Sequence, residues 1–246
     1  GADGAAVRLT PEDSVVAAVI SVEEVPVATG RLVPLTDEEK GRISDAVRAA
    51  ERLTSAEIVP MLVARSGLYH DAQHRAGLAL ALVVLTGLLM SEAFWLSWGW
   101  HAANAAWLIV STLVGYVIGS WLGTFDPVVR AVTSTDRLRS KVQLRAERAF
   151  AQHSLFRTRD RTAVLLLVSL MERHVYVLPD SGIGPRIAAA QWNEVVEAVV
   201  TRLKAEDIAG GFCAGIERCG AFLALAYPAS SNDNPDELSN RLVQEP

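Results

Sequence analysis

Two apolar runs, residues 76–96 and 105–125, stand back to back in this chain with only a short connector between them. Each is about 20 residues long, which at about 1.5 Å of helical rise per residue spans the roughly 30 Å hydrocarbon core of a bilayer. The second run, AAWLIVSTLVGYVIGSWLGTF, contains no charged residue, and the first carries only Glu92, near its far end, where a carboxylate reaches the interface. Residues 75–126 therefore read as a transmembrane helical hairpin. The alternative, a buried hairpin of a soluble domain, seldom runs this long without a charge.

The flanks orient the hairpin. Arg65 and Arg75 precede it, Arg130, Arg137, Arg139, Lys141 and Arg145 follow it, and the connector over residues 91–104 holds no Lys or Arg. Positive charge gathers on the cytoplasmic side, so both flanking segments are expected in the cytoplasm and the protein in the cell membrane, crossing it twice. The connector carries Trp95, Trp98 and Trp100, with Trp107 just beyond, as an outer aromatic belt; Trp121 and Phe125 mark the inner interface. Ser111, Gly115, Gly119 and Gly123 recur every four residues, a small-residue stripe for close helix packing. Its partner is either the first helix, through Gly77, Ala81, Gly87 and Ser91, or a second copy in a homodimer.

With about 50 residues in the membrane, the remainder suffices for one soluble domain plus extensions. The net charge of −5 conceals a basic segment after the hairpin and an acidic tail. Membrane orientation accounts for the basic part, and nothing points to nucleic acid. Cys213 and Cys219, six residues apart on one expected helix, diverge by about 120° and cannot pair there. No metal-ligand spacing is present, so no cofactor is expected beyond a divalent cation on carboxylates.

Residues 1–35 read as a loose extension with room for one added strand. Thr36 and Glu39 form a capping box ahead of a helix ending near Leu53. EIVPMLVA, residues 57–64, reads as a strand that Pro60 demotes to an edge or a bulge. After the hairpin, Asp126 opens one helical stretch to about His153, an amphipathic helix suited to the anionic inner leaflet. TAVLLLVSL (residues 162–170) and RHVYVLP (residues 173–179) form an antiparallel hairpin. A break at residues 180–185 leads into a helix from Pro185 or Arg186 with Ile187, Trp192, Val195, Val196, Val199, Val200 and Leu203 inward. A last helix spans residues 207–226, with Ile208, Phe212, Ile216, Phe222 and Leu223 inward. Gly210, Gly211, Gly215 and Gly220 in that helix point to close packing. The tail from residue 228 is polar and reads as disordered. Short strands cannot bury their apolar faces singly, so all three belong to one sheet, and the hairpin is an insertion in a single α/β domain, a small sheet flanked by helices.

Residues 51–58, ERLTSAEI, then LLLVSL at 165–170 with Glu172-Arg173 and Val175-Tyr176-Val177, and finally residues 207–211 with Gly215, resemble the TPM domain. This module is also called TPM phosphatase and is known from plant thylakoid-lumen proteins of photosystem repair. FRTRDRT at 156–162 and DELSNR at 236–241 resemble more closely a bacterial membrane subgroup in which a two-helix insertion splits the domain. The family commonly reads Gly-x-Gly-Leu-Glu after its third strand. Here the loop is Ser181-Gly182-Ile183-Gly184-Pro185, without the acid.

Two functional classes stay open. The first is a membrane-anchored binding, regulatory or assembly module with an unidentified protein partner. The second, implied by the family's name, is a metal-dependent phosphomonoester hydrolase with Asp180 and Glu57 as its carboxylates. Candidates for anion binding are the loop at Gly182 and Gly184, where helix N–H groups could be free, and Arg157 and Arg159; the plainer readings are a glycine-rich turn joining strand to helix and a juxtamembrane basic run. Cys213 and Arg218 are one residue short of a Cys-x5-Arg loop. Two helices with a single peripheral acid provide no ion path, which argues against transport.

Overall fold

The computed structural model describes residues 18–21, 35–94, 102–183, 186–229 and 238–245. Trp95, Trp98, Trp100, Gly184, Pro185, Asp236 and Glu237 lie outside the described residues. The chain divides into two units, one made of Gly1–Ala64 with Val142–Pro246, the other of Arg65–Lys141.

The first unit is a mixed α/β fold around a five-stranded sheet in the order β1-β4-β3-β2-β5. Its strands are β1 (Ala18–Ser21), β2 (Glu57–Val63), β3 (Ala163–Ser169), β4 (His174–Pro179) and β5 (Val243–Glu245). β3 and β4 form the antiparallel hairpin, whereas β2 runs parallel to β3. Every residue of β2, β3 and β4 is buried, which is why each reads as an unbroken apolar run instead of an alternating one. One face, with Ile58, Leu62, Val164, Leu166, Val168, Val175 and Val177, packs under α1 (Asp37–Glu51), α6 (Ala189–Leu203) and α7 (Ile208–Ala226). The other, with Val59, Met61, Val63, Leu165, Leu167, Tyr176 and Leu178, packs under Val142, Ala146 and Ala149 of α5 (Thr135–Gln152) and under Leu155.

Local chemistry sets the element ends. The α1 capping box forms: Thr36 N–H donates to Glu39 Oε2 at 2.7 Å and Glu39 N–H to Thr36 Oγ1 at 3.2 Å. These bonds hold the Glu39 carboxyl below its ordinary range. Asp207 caps α7 by accepting from Gly210 N–H at 2.7 Å. A Cβ on Gly215 would stand 2.4 Å from Val199 Cγ2, and one on Gly220 2.7 Å from Ala50 Cβ, so these two helical glycines admit α6 and α1 at short range.

Several boundaries differ from expectation. The helical stretch after the hairpin breaks into α4 (Asp126–Val132) and α5 around Thr133 and Ser134. The apolar face of α5 from Val142 onward covers the sheet, so it does not serve as a lipid-facing surface. β1 adds to β4 antiparallel, the added strand that residues 1–35 had room for. The acidic tail ends in β5, which pairs parallel with β2 over Met61–Val63, because the β2 edge offers backbone partners that no single-segment reading can see.

Pro60 shows how that edge is shared. Along a strand, successive residues turn their N–H groups to opposite neighbours. Glu57 N–H donates to Thr162 on the β3 side, so residues 58, 60, 62 and 64 face outward. β5 reaches only Met61–Val63, which leaves Pro60, with no N–H, just short of the pairing. The one edge donor before it, Ile58 N–H, is satisfied by Glu51 Oε1 at 2.9 Å. Ala64 N–H, beyond it, donates to Glu245 O at 3.2 Å.

In the second unit, α2 (His70–Phe94) packs on α3 (Ala102–Leu122). A Cβ on Gly119 would meet Ala76 O at 2.7 Å and Gly77 Cα at 2.8 Å, and one on Gly123 would meet Gln73 Cα at 2.7 Å. Gly115 faces Val84 and Ala81. The glycine stripe is therefore filled by α2 of the same chain. Ser111 is half-buried at its far end, and Gly87 faces open space. His74 Nδ1 lies 2.9 Å from Tyr116 Oη, and Arg65 pairs with Asp126. Helices α2, α3 and α7 are each long and apolar enough to cross a membrane. In α7 the apolar side chains Ile208, Phe212, Ile216, Phe222 and Leu223 are buried in the core of the first unit.

Candidate functional site

At the end of the sheet where β2 and β3 begin and β4 finishes, three residues lie side by side. Glu57 pairs with Ala163 in the parallel ladder, and Asp180 N–H donates to Ala163 O at 2.8 Å. Residues in register project to one face. Glu57, Ala163 and Asp180 thus share the face that α5 covers, with both acids and the alanine between them buried. Two strand spacings separate the acids, about 9.6 Å between backbones. Both acids stand out in the sequence as candidate carboxylates; pairing across the sheet supplies their common face.

Asp180 is 7% exposed, and its Oδ1 accepts from Ser181 N–H at 2.6 Å and from Ser181 Oγ at 3.1 Å. Its Oδ2 is buried without a hydrogen-bond partner among the described residues, as is the hydroxyl of Thr158, itself 5% exposed. A buried carboxylate oxygen with no donor is costly. Among the described residues no group of three or more His, Cys, Asp or Glu side chains is placed to hold a metal.

The rest of the expected anion site is placed differently. Gly182 N–H donates to Arg161 O at 2.9 Å, and a Cβ there would stand 2.1 Å from Asp160 O. Gly182 is therefore a close-packing residue that pins the loop to residues 160–161, and its N–H is already used. Helix α6 begins only at Ala189, with Ala188 N–H donating to Gln191 Oε1 at 2.9 Å, so the loop does not open directly into a helix N-terminus. Arg157 and Arg159 are exposed, Arg159 lying 4.0 Å from Asp160.

Cys213 lies in α7 with its thiol pushed up by burial, and burial raises the Cys219 thiol as well. Neither carries the depressed pKa that thiolate nucleophiles need.

Two further polar groups have no local signal in the sequence. Ser169, Glu172 and His174 are buried at the opposite end of the sheet; Ser169 Oγ donates to the Glu172 carboxylate, and His174 Nδ1 lies 2.6 Å from Glu172 O. Glu245 binds Arg145 and His153 across a sequence separation of about a hundred residues. Ser169 sits inside an apolar run and Glu245 in a polar tail, so neither carried a local signal.

Residues 125–222 match the TPM domain. The match takes in Asp180, while Glu57 lies before it. A solved structure, the NMR structure of the BA42 protein from the psychrophilic bacterium Bizionia argentinensis, is similar over 87% of this chain and 99% of that one, at 19% identity and a TM-score of 0.54. At that identity the likeness extends to the fold alone. No curated protein matches the chain.

Proposed function

We propose that this chain is a membrane-anchored TPM-type module that binds or regulates a protein partner, held in the cell membrane by α2 and α3 with its α/β unit in the cytoplasm. One observation supports the reading above others. The outward faces of α2 and α3 carry large apolar side chains exposed at half or more of their surface, among them Leu78, Leu82, Val83, Trp107, Ile109 and Val117, while Gly77, Gly115, Gly119 and Gly123 face the neighbouring helix. An apolar patch of that extent has lipid as its natural solvent. The excess of Lys and Arg on both flanks argues for a cytoplasmic α/β unit.

The test is thiol labelling of intact cells with an impermeant reagent, using single cysteines at Ser97 or Ser181 in a Cys213→Ala, Cys219→Ala background. Labelling at 97 and protection at 181 are expected. Labelling at 181 alone places the α/β unit outside and sinks the cytoplasmic reading.

A second reading, hydrolysis of phosphomonoesters with a divalent cation at Glu57 and Asp180, is favoured by the shared face of the two acids and by Asp180 Oδ2, which has no hydrogen-bond partner among the described residues. Such a cation would polarise the phosphoryl oxygens, and Asp180 and Glu57 would hold it. Asp180→Asn should then lower Mg²⁺-dependent turnover of a generic phosphomonoester by about 100-fold or more, consistent with loss of several kcal/mol of charge stabilisation. Activity indifferent to this change, or to a chelator, removes the reading.

A further inference from the structure

Only three residues of β5 pair with β2, and that partnership rests on three kinds of contact. The backbone supplies the ladder at Met61–Val63 and the bond from Ala64 N–H to Glu245 O. Val243 packs at the rim of the core beneath α5. The Glu245 carboxylate is gripped by Arg145 and lies 3.0 Å from His153 Nε2. A ladder, an apolar anchor and a side-chain clamp are the components by which an exposed sheet edge receives an added strand.

The edge is also bounded. Glu51 takes Ile58 N–H and Pro60 has none, so an incoming strand pairs only from Met61 onward. Residues i and i+2 of a strand face the same side, which fixes the spacing between anchor and clamp. Arg145 is 17% exposed in its side chain. A cation that buried demands a counter-charge from whichever strand lies there, because removing one partner of a buried pair is strongly destabilising. Three residues of pairing hold a strand only marginally.

We propose that the β2 edge, with Arg145 and His153, is a docking site for an extended segment of a partner protein carrying an apolar residue and, two positions later, a carboxylate, and that β5 is its resident competitor in cis. The proposal deepens the binding-module reading by naming the surface and the chemistry of the partner. The acid is the discriminating feature, and the cis strand sets the threshold by being present at high effective concentration.

The test uses the full chain in detergent micelles and a fluorescein-labelled peptide of residues 238–245, LSNRLVQE, read by anisotropy. Glu245→Lys places a cation against Arg145 and His153 and should release β5, so this variant binds the peptide at least tenfold more tightly than the unaltered chain. Adding Arg145→Ala should remove that gain. The charge-swapped pair Arg145→Glu with Glu245→Lys restores the cis contact and should return binding to the unaltered level, which also reports that the variant chains fold. Equal binding by the unaltered and Glu245→Lys chains, or equal binding of a peptide whose glutamate is replaced by lysine, overturns the proposal. So does a dimer of the unaltered chain that the peptide dissolves, since the occupant is then a second copy. These measurements on purified protein are independent of the labelling that tests membrane placement.

Discussion

A single side chain, Glu51, closes the part of the β2 edge that β5 does not reach. Its carboxylate accepts from Ile58 N–H at 2.9 Å in buried surroundings. Glu51→Ala should therefore lower stability by about 1–3 kcal/mol, the cost of stranding a buried donor, whereas Glu51→Gln, which keeps an acceptor oxygen, should lose less. Denaturant midpoints of the purified chain in micelles decide between them; equal midpoints for the two variants would mean that the charge, and not the acceptor, matters. Other residue-scale features were open to reading in advance. The capping box at Thr36 and Glu39 and the inward positions of α6 and α7 follow from spacing alone, because each depends on neighbours within one or two helical turns. The partners of Asp180, Gly182 and Glu245 did not, since those lie on other strands and loops.

At the scale of elements, the pair α2 and α3 shows what a small-residue stripe selects. Either a second copy or the first helix could have met Gly115, Gly119 and Gly123 on sequence grounds, and α2 of the same chain fills it. Gly119→Ile should force the helices apart, as its Cβ would stand 2.7 Å from Ala76 O, while Gly87→Ile enters open space. The expected outcome is a clear drop in the thermal midpoint in micelles for the first and little change for the second. Comparable drops would show that the seam is not where the structure puts it. Two elements departed from expectation for a shared reason. The break between α4 and α5 and the pairing of β5 both answer to surfaces distant in sequence, whereas helix periodicity and tail composition report only local preference.

For the molecule as a whole, burial on both faces of the sheet ties stability to alkaline pH. Tyr176 has its phenol pushed up to about 12 by burial, with the nearby Glu147 charge adding, and the thiols of Cys213 and Cys219 are raised by burial too. Each group is neutral in its protonated form and loses a proton more readily in the unfolded chain. Their contribution is thus fully present below about pH 9 and falls as the pH climbs through 10 toward 12. Thermal unfolding should be unchanged by these groups between pH 7 and 8.5 and should shift to lower temperature at pH 11. Tyr176→Phe should lessen that alkaline loss; an unchanged pH profile in this variant would assign it elsewhere. What the sequence determined unaided was everything governed by local periodicity and transfer to an apolar medium: two bilayer-length helices, the capped α1, three apolar strands, and an α/β unit interrupted by the hairpin. Only the tertiary structure decided which residues share a face and an edge, bringing Glu57 beside Asp180 across Ala163 and Glu245 between Arg145 and His153. Cross-strand register is set by side chains packing over long sequence separations, and no window along the chain contains both partners of such a contact.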